Sequence, residues 1–436
     1  MVRDVEPQVN APGTGGQRSC RFLVAAFGDA GHAFPAIGLA RALAARRHEV
    51  VVETWEHWRD AVEGAGLGFT AAEEYKTFPP PPPGSDQGPS AADAALALVP
   101  YLERERFDTV VSDILTLAPA LAAERAGLRR ATLIPHVYPV HDPGMPFFSF
   151  GVMPPRTAIG RALWRGALPV LESGLRRGRE EMNRSRAVVG LAPTRRFHAG
   201  ISEQLALVAS FPQLEYPRGW PAHVRVTGPV GFELPYPDVE LPRGEGPLVL
   251  VAPSTAQDPE GRLVQTALEA LADEPVRVLA TTNRPAPDQP RAVEEALEVE
   301  EALAVAEAPA AEAPPEAPAN AVVVDWLSYS QAMAAADLVL CHGGHGTVAR
   351  ALGAGVPVLC CPAVGDMAEN AARAAWSGAG AMLPWRLTGA GALRATVRRM
   401  LGEASFSARA GEIAAWARRN DGAARGAKLV EGLARS

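Results

Sequence analysis

A glycine-rich turn in the second half of the chain carries the residue types best suited to bind an anion. It spans residues 342–346, His-Gly-Gly-His-Gly, between an apolar stretch that ends at Cys341 and a segment of helical spacing that begins at Thr347. Glycines let main-chain N–H groups approach a ligand closely, and a helix start favours negative charge. His342 and Thr347 can each donate a further hydrogen bond. The pattern fits a diphosphate, and taken alone it fits a tight strand-to-helix connection equally well.

The residues that follow this turn favour the ligand-binding interpretation. A second apolar stretch, residues 355–362, leads to Gly365 and Asp366, and Asn370 and Arg373 come after them. Because ligands of open α/β sheets bind at the carboxyl ends of the strands, Asp366 is expected beside the crevice that the turn occupies.

A second set of reactive side chains lies in the first half of the chain. His32 is expected in the loop after the apolar run 21–27, and its imidazole suits a general base. Asp113 ends another apolar run, and a carboxylate on the second ring nitrogen would fix the tautomer of such a base. Helix capping or packing is the alternative role for His32, and helix N-capping for Asp113. Asp29 is an alternative base.

These side chains require a scaffold of alternating strands and helices. Apolar runs at 21–27, 49–53, 107–111 and 130–134 alternate with helical segments, the first of which is expected to begin at Pro35. After residue 246 the alternation starts again, with apolar runs at 247–252, 276–282, 321–326, 337–341 and 356–361. The pattern predicts an α/β fold with two units, each a parallel sheet covered on both faces.

Proline and charged residues mark the division between these units. They concentrate at residues 232–246, so we assign 20–233 to an N-terminal domain, 234–246 to a linker and 247–436 to a C-terminal domain, after a disordered tail at 1–19. A low-complexity acidic insert at about 284–320 is expected to be part solvated helix and part disordered, and residues 79–83 form a rigid proline run.

Residues 341–373 resemble the donor-binding signature of family 1 glycosyltransferases with the GT-B fold, particularly bacterial enzymes that decorate natural products such as antibiotics and macrolides. The resemblance implies two Rossmann-like domains that face each other across a cleft. It assigns the acceptor to the first domain and a nucleoside diphosphate (NDP) sugar to the second. It also implies that the last helix crosses back onto the first domain.

The resemblance also assigns roles to single residues. His32 and Asp113 match the family's catalytic pair. Trp326 and the backbone near Ser328 would meet the nucleobase, and Ser254 and Thr255 would meet the diphosphate. The donor-binding set implied is Ser254, Thr255, Trp326, Ser328, His342, Gly343, Gly344, Gly346, Thr347 and Asp366.

Two positions depart from the family pattern. Arg350 stands where many relatives carry a glutamate that holds the ribose hydroxyls, and Met367 stands where they carry a glutamine that holds sugar hydroxyls. Ribose binding is therefore left to another group. The loss of a polar contact at Met367 favours a less hydroxylated sugar.

An aromatic segment at residues 136–170 follows the last predicted strand of the first unit. Its Phe147, Phe148 and Trp164 can line an apolar acceptor pocket, as the comparable region does in the family, or can belong to the core. The first interpretation predicts an apolar acceptor such as a polyketide or another aromatic aglycone.

Composition excludes other classes of partner. The net charge is −7, but eight glutamates and no basic residue lie between 292 and 318, so the rest of the chain is nearly neutral. A nucleic-acid surface is not expected. No apolar run is long enough to span a membrane, no signal peptide is evident, and the four cysteines show no disulfide or zinc spacing, which favours a cytoplasmic location.

The sequence thus predicts an inverting glycosyltransferase that uses a UDP- or dTDP-sugar, a hydrophobic small-molecule acceptor and no metal or other cofactor, as a monomer or homodimer. Two alternatives share the fold: an NDP-sugar 2-epimerase, and a nucleotide-sugar-binding protein that has lost catalysis. A dinucleotide oxidoreductase is disfavoured because the first loop lacks the GxGxxG pattern.

Overall fold

The computed structural model describes residues 18–72, 90–236, 239–254, 258, 261–283, 317–363 and 365–436. These residues form two parallel sheets, one of seven strands and one of six. The predicted α/β fold with two Rossmann-like units is therefore confirmed. The proline run at 79–83 and nearly all of the acidic insert lie outside the described residues.

The first sheet has the strand order β3-β2-β1-β4-β5-β6-β7. Its strands are β1 (Arg21–Ala25), β2 (Glu49–Thr54), β3 (Gly68–Ala71), β4 (Thr109–Asp113), β5 (Arg129–Ile134), β6 (Leu205–Val208) and β7 (Val224–Val226). Its helices are α1 (Ala30–Ala45), α2 (Arg59–Gly64), α3 (Ala91–Glu105), α4 (Leu117–Arg125), α5 (Ala158–Gly166) and α6 (Leu168–Val188).

The second sheet has the order β10-β9-β8-β11-β12-β13. Its strands are β8 (Leu248–Ala252), β9 (Arg277–Thr281), β10 (Ala321–Val324), β11 (Leu338–Cys341), β12 (Val358–Cys360) and β13 (Gly380–Met382). The helices are α7 (Arg262–Leu271), α8 (Tyr329–Ala335), α9 (His345–Ala354), α10 (Gly365–Ser377), α11 (Ala390–Gly402) and α12 (Ala404–Arg419). The linker assigned to residues 234–246 falls between β7 and β8.

The central strands are apolar along their whole length because helices cover both faces of each sheet. In β1, Phe22 and Val24 belong to one buried cluster, and Leu23 belongs to the cluster on the opposite face. All five residues of β8 are likewise buried, alternating between two clusters. Burial on both faces holds each strand in position, and the residues of the site lie at the ends of these strands.

The final helix, α13 (Gly422–Arg435), packs against α1 of the first domain. Arg46 Nε donates to Glu431 Oε2 at 2.7 Å, and the Glu431 side chain is almost fully buried. The predicted crossing of the last helix onto the first domain is confirmed. Within the described ranges, no helix is both long enough and apolar enough to cross a membrane.

The predicted start of the first helix was wrong. Helix α1 begins at Ala30, so Pro35 lies inside it and His32 lies in its first turn and not in a loop. The cause is Asp29, which caps the helix: its side chain accepts a hydrogen bond from the Gly31 N–H.

Candidate active site

His32 and Asp113 are brought together at the carboxyl edge of the first sheet. His32 Nδ1 lies 2.8 Å from Asp113 Oδ1, although 81 positions separate the two residues in the chain. The Asp113 side chain is fully buried and the His32 side chain is 16% exposed. The pair has the geometry in which a carboxylate fixes the tautomer of an imidazole and leaves Nε2 for a substrate.

The structure also resolves the alternative roles at this edge. Asp113 ends β4, its Oδ2 accepts from the Leu115 N–H at 3.2 Å, and helix α4 begins only at Leu117 with Thr116 at its N-cap position. Asp113 is therefore not the helix cap. Asp29, the alternative base, is the residue that caps α1.

The charge of the His32 imidazole is set by its surroundings. Burial disfavours the cation, but the Asp113 carboxylate outweighs burial, with smaller contributions from Asp29 and Asp366, and the pKa of His32 rises to about 9. The imidazole is therefore protonated at neutral pH. It becomes a base when Nε2 loses its proton.

The glycine-rich turn joins β11 to α9 in the second sheet. Gly343 has a φ of 98°, and a Cβ there would lie 2.8 Å from the Met367 carbonyl oxygen, so only glycine fits without strain. A Cβ on Gly344 would overlap the His342 ring. The turn therefore packs closely beneath the start of α9, where the first-turn N–H groups of His345, Gly346 and Thr347 lack helical partners.

Helix α10 holds this turn in place. Asn370 Nδ2 donates to the Gly343 carbonyl at 3.1 Å. Asp366 lies exposed in the first turn of the same helix; its charge contributes to the raised pKa of His32 and partly offsets the lowering of the His342 pKa by burial. The Asp366 carboxylate therefore lies within electrostatic range of the His32 imidazole on the opposite domain.

His342 lies beside the end of β8 in the second domain. Its Nδ1 is 3.5 Å from the Ala252 carbonyl at the end of β8, and burial lowers the pKa of its imidazole. Ser254, two residues further on, is buried. Thr255 lies outside the described residues.

The residues predicted to hold the nucleobase lie where β10 leads into α8. The Trp326 ring stacks on Tyr236 of the linker, with centroids 5.6 Å apart and planes at 9°. Ser328 caps α8, its side chain accepting from the Gln331 N–H, and its hydroxyl also contacts Glu233 Oε1 at 3.3 Å. The linker therefore contacts Trp326, and the last residue of the first domain contacts Ser328.

Arg350, which departs from the family pattern, binds the end of the first domain. Its guanidinium donates to the Phe232 carbonyl at 2.6 Å. Together with Arg41, Glu233 and Tyr329 it borders an open pocket of about 450 Å³ between the domains. Arg350 thus ties helix α9 to the end of the first domain, and Glu233 supplies a carboxylate at the same pocket.

The aromatic segment is part core and part cleft wall. Phe147 is buried, with its ring centroid 5.2 Å from Trp164 and 5.6 Å from Phe150. Phe148 lies against His136, with centroids 5.8 Å apart. His136 in turn lies 6.2 Å from His32. Phe148 therefore adjoins the His32 pair through the His136 ring.

A buried ion network joins the two domains beside this segment. Arg373 of α10 bonds Glu369 at 2.8 Å and Glu215 of the first domain at 3.0 Å, and all three side chains are buried. The Arg373 guanidinium also lies 4.2 Å from the ring centroid of Tyr216. In the sequence, Arg373 stands out only by its spacing, and no pattern predicts the roles of Glu215 and Glu369. His136 was not predicted either, and its available signal is a polar residue just after β5, at the sheet edge that carries Asp113.

The fold and the site together define a class. Two parallel Rossmann-like sheets, a histidine–aspartate pair on one side of the cleft and a glycine-rich helix start on the other are the features of GT-B glycosyltransferases. Solved structures with this fold align over almost the whole chain. They include the glycosyltransferase of kitacinnamycin (TM-score 0.67, 19% identity, 96% of this chain and 100% of that one) and the calicheamicin glycosyltransferase CalG4 (TM-score 0.68, 20% identity, 96% and 98%). A third, VinC, was solved in complex with dTDP (TM-score 0.64, 19% identity, 95% and 100%).

Sequence comparisons narrow the class. Residues 291–424 match the family model of the erythromycin biosynthesis protein CIII-like C-terminal domain. The chain is 28% identical to 4'-demethylrebeccamycin synthase of Lentzea aerocolonigenes, over 95% of this chain and 99% of that protein. It is 27% identical to the O-mycaminosyltylonolide 6-deoxyallosyltransferase of Streptomyces fradiae, over 89% and 92%.

The chain is a glycosyltransferase of the GT-B fold, and its relatives are antibiotic glycosyltransferases. The resemblance drawn from the sequence is confirmed. An NDP-sugar donor and a natural-product acceptor fit these relatives, and the epimerase alternative is not favoured by them.

Proposed function

We propose that the protein transfers a sugar, with inversion, from a UDP- or dTDP-sugar to a hydroxyl of a hydrophobic small molecule such as a polyketide. The observation that carries the proposal is the His32–Asp113 pair, 2.8 Å apart at the cleft edge and within electrostatic range of Asp366 on the donor domain. A base that faces a donor site across a cleft suits direct displacement at the anomeric carbon.

The reaction balances with groups that the chain supplies. The acceptor oxygen forms a bond to the anomeric carbon while the bond from that carbon to the diphosphate oxygen breaks. His32 Nε2 takes the hydroxyl proton, and the Asp113 carboxylate stabilises the resulting imidazolium. The diphosphate leaves with the bonding electron pair.

The leaving group is stabilised by the start of α9. The free N–H groups of its first turn, beside Gly343 and Gly344, and the Thr347 hydroxyl offer hydrogen bonds to the diphosphate, and His342 adds another. Ser254 and Thr255 complete this contact in the proposal. Because these groups can neutralise the developing charge, we propose that no metal is needed. Loss of activity in chelator and its return with magnesium would contradict this part of the proposal.

The remaining donor and acceptor contacts are proposed from the family resemblance. Trp326 and Ser328 are assigned to the nucleobase and Asp366 to sugar hydroxyls. Met367, beside Asp366, removes a polar contact and favours a less hydroxylated sugar. Phe147, Phe148 and Trp164 are assigned to the acceptor, with Phe148 in direct contact.

The proposal is tested by incubating the protein with a panel of UDP- and dTDP-sugars and mixed aromatic aglycones. Product mass and released nucleotide are measured, and the anomeric configuration of the product is read by proton NMR. We expect an acceptor-dependent product of inverted configuration. Donor conversion without acceptor, or a product of retained configuration, would refute the proposed reaction.

A further inference from the structure

His136 is a histidine in the cleft that the proposed reaction does not use. It lies just beyond β5, the strand that pairs with β4, so it emerges at the same sheet edge as Asp113. Its ring centroid lies 6.2 Å from that of His32, with the ring planes at 75°. Two imidazoles therefore stand side by side on the acceptor domain.

The orientation of the His136 ring is fixed on two sides. Its Nδ1 lies 2.7 Å from the Val137 carbonyl oxygen, so Nδ1 carries the proton and donates it there. The Phe148 ring lies tilted against it at 5.8 Å. Nε2 is left with a lone pair, and no hydrogen bond to it comes from any residue in the described part of the chain.

The surroundings keep this ring neutral. Burial, reinforced by the positive charge of His32, lowers the pKa of His136. A neutral imidazole with Nδ1 protonated accepts a hydrogen bond at Nε2 and cannot donate one there. The hydroxyl that is glycosylated has a single proton, and in the proposed reaction that proton goes to His32. His136 therefore needs a different donor.

We propose that His136 binds a second O–H or N–H group of the acceptor, next to the hydroxyl that is glycosylated, and so selects acceptors that carry such a neighbouring donor. The inference rests on the proposed function. A hydroxyl of the donor sugar has the same chemistry. The acceptor is favoured because His136 belongs to the first domain and packs on Phe148 of the aromatic segment.

The test compares two probes that differ by one hydroxyl, 2,3-dihydroxynaphthalene and 2-naphthol. Their dissociation constants are measured by calorimetry on the full-length protein saturated with dTDP or UDP. The variants are His136→Gln, whose amide oxygen can replace Nε2 as an acceptor, and His136→Leu, which cannot accept. Wild type should bind the diol roughly tenfold more tightly than 2-naphthol, because one hydrogen bond separates the two. His136→Leu should bring this ratio to about one, and His136→Gln should retain most of it.

The affinities for the nucleotide and for an intact NDP-sugar serve as controls. Both should be unchanged in the two variants. A diol preference that survives in His136→Leu, an equal loss for both naphthols, or no binding of either naphthol by protein that binds nucleotide would overturn the inference. A loss of donor affinity in His136→Leu would place the partner on the sugar and also overturn it. If wild type releases no nucleotide from any NDP-sugar in the presence of acceptors, the proposed function fails instead.

Discussion

The two sides of the cleft build their chemistry from different parts of the chain. On the acceptor side, a buried charged pair of side chains, His32 and Asp113, comes from elements 81 residues apart. On the donor side, backbone N–H groups and glycines within residues 342–347 form a local turn. The histidine–aspartate pair depends on the long-range packing of β4 against β1, whereas the glycine-rich turn depends mainly on local backbone conformation. Substitutions on the two sides should therefore fail in different ways.

The largest effect is expected from removal of the base. His32→Ala should lower kcat/KM for the acceptor roughly 10²–10⁴-fold and leave nucleotide affinity within about twofold, because the donor turn lies on the other domain. Initial rates of nucleotide release and calorimetric nucleotide binding measure the two quantities. His223→Ala, a histidine remote from the pair, is the matched control. A normal rate in His32→Ala would remove His32 from the mechanism.

The next largest effect is expected from the buried ion network of Arg373, which joins the two domains. Arg373→Met leaves Glu215 and Glu369 buried without their partner, and we expect the free energy of unfolding to fall by about 3 kcal/mol. Urea denaturation measures this change. Arg243→Ala breaks only the exposed pair with Glu240 and should cost less than about 1 kcal/mol. Equal effects of the two substitutions would show that the buried network is not a structural link.

A local change should damage the donor side alone. Gly343→Ala forces a residue with a side chain into a φ of 98° against the Met367 carbonyl, at a cost of about 1–3 kcal/mol. Nucleotide affinity should fall by an order of magnitude, while binding of an aromatic acceptor is retained. Gly391→Ala, in an open position of α11, should change neither quantity. Unchanged nucleotide binding in Gly343→Ala would argue against the turn as the diphosphate site.

The smallest effect is expected at the sugar contact. Met367→Gln restores the polar side chain found in relatives of the family and should raise the ratio of kcat/KM for a fully hydroxylated glucose donor over a deoxysugar donor by a few-fold. Competition between the two donors in one reaction measures this ratio directly. If the wild type already uses the glucose donor best, the proposed role of Met367 is wrong.

The same contrast explains what the sequence could predict. The apolar runs and the glycine-rich turn are local patterns, so the strands, the two units and the turn at 342–346 follow from the sequence. The start of α1 was predicted wrongly, because proline is common at helix starts, whereas here Asp29 caps the helix and Pro35 lies inside it. The contacts of Arg373 with Glu215 and of Arg350 with Phe232 join residues more than 100 positions apart, and no local pattern marks them.

The central claim is that Asp113 acts through the charge of His32. It is tested most directly by the pH dependence of kcat/KM for wild type and Asp113→Asn. The charged groups around His32 are Asp113, Asp29 and Asp366, with His136 beside it. Because Nε2 must be unprotonated, the wild-type rate should rise with pH through an apparent pKa near 9. In Asp113→Asn the carboxylate no longer opposes burial, so the maximum rate should fall and the rising limb should move to lower pH. The same pH dependence of kcat/KM in both proteins, or a wild-type rate that falls as pH rises toward 9, would contradict this role of Asp113.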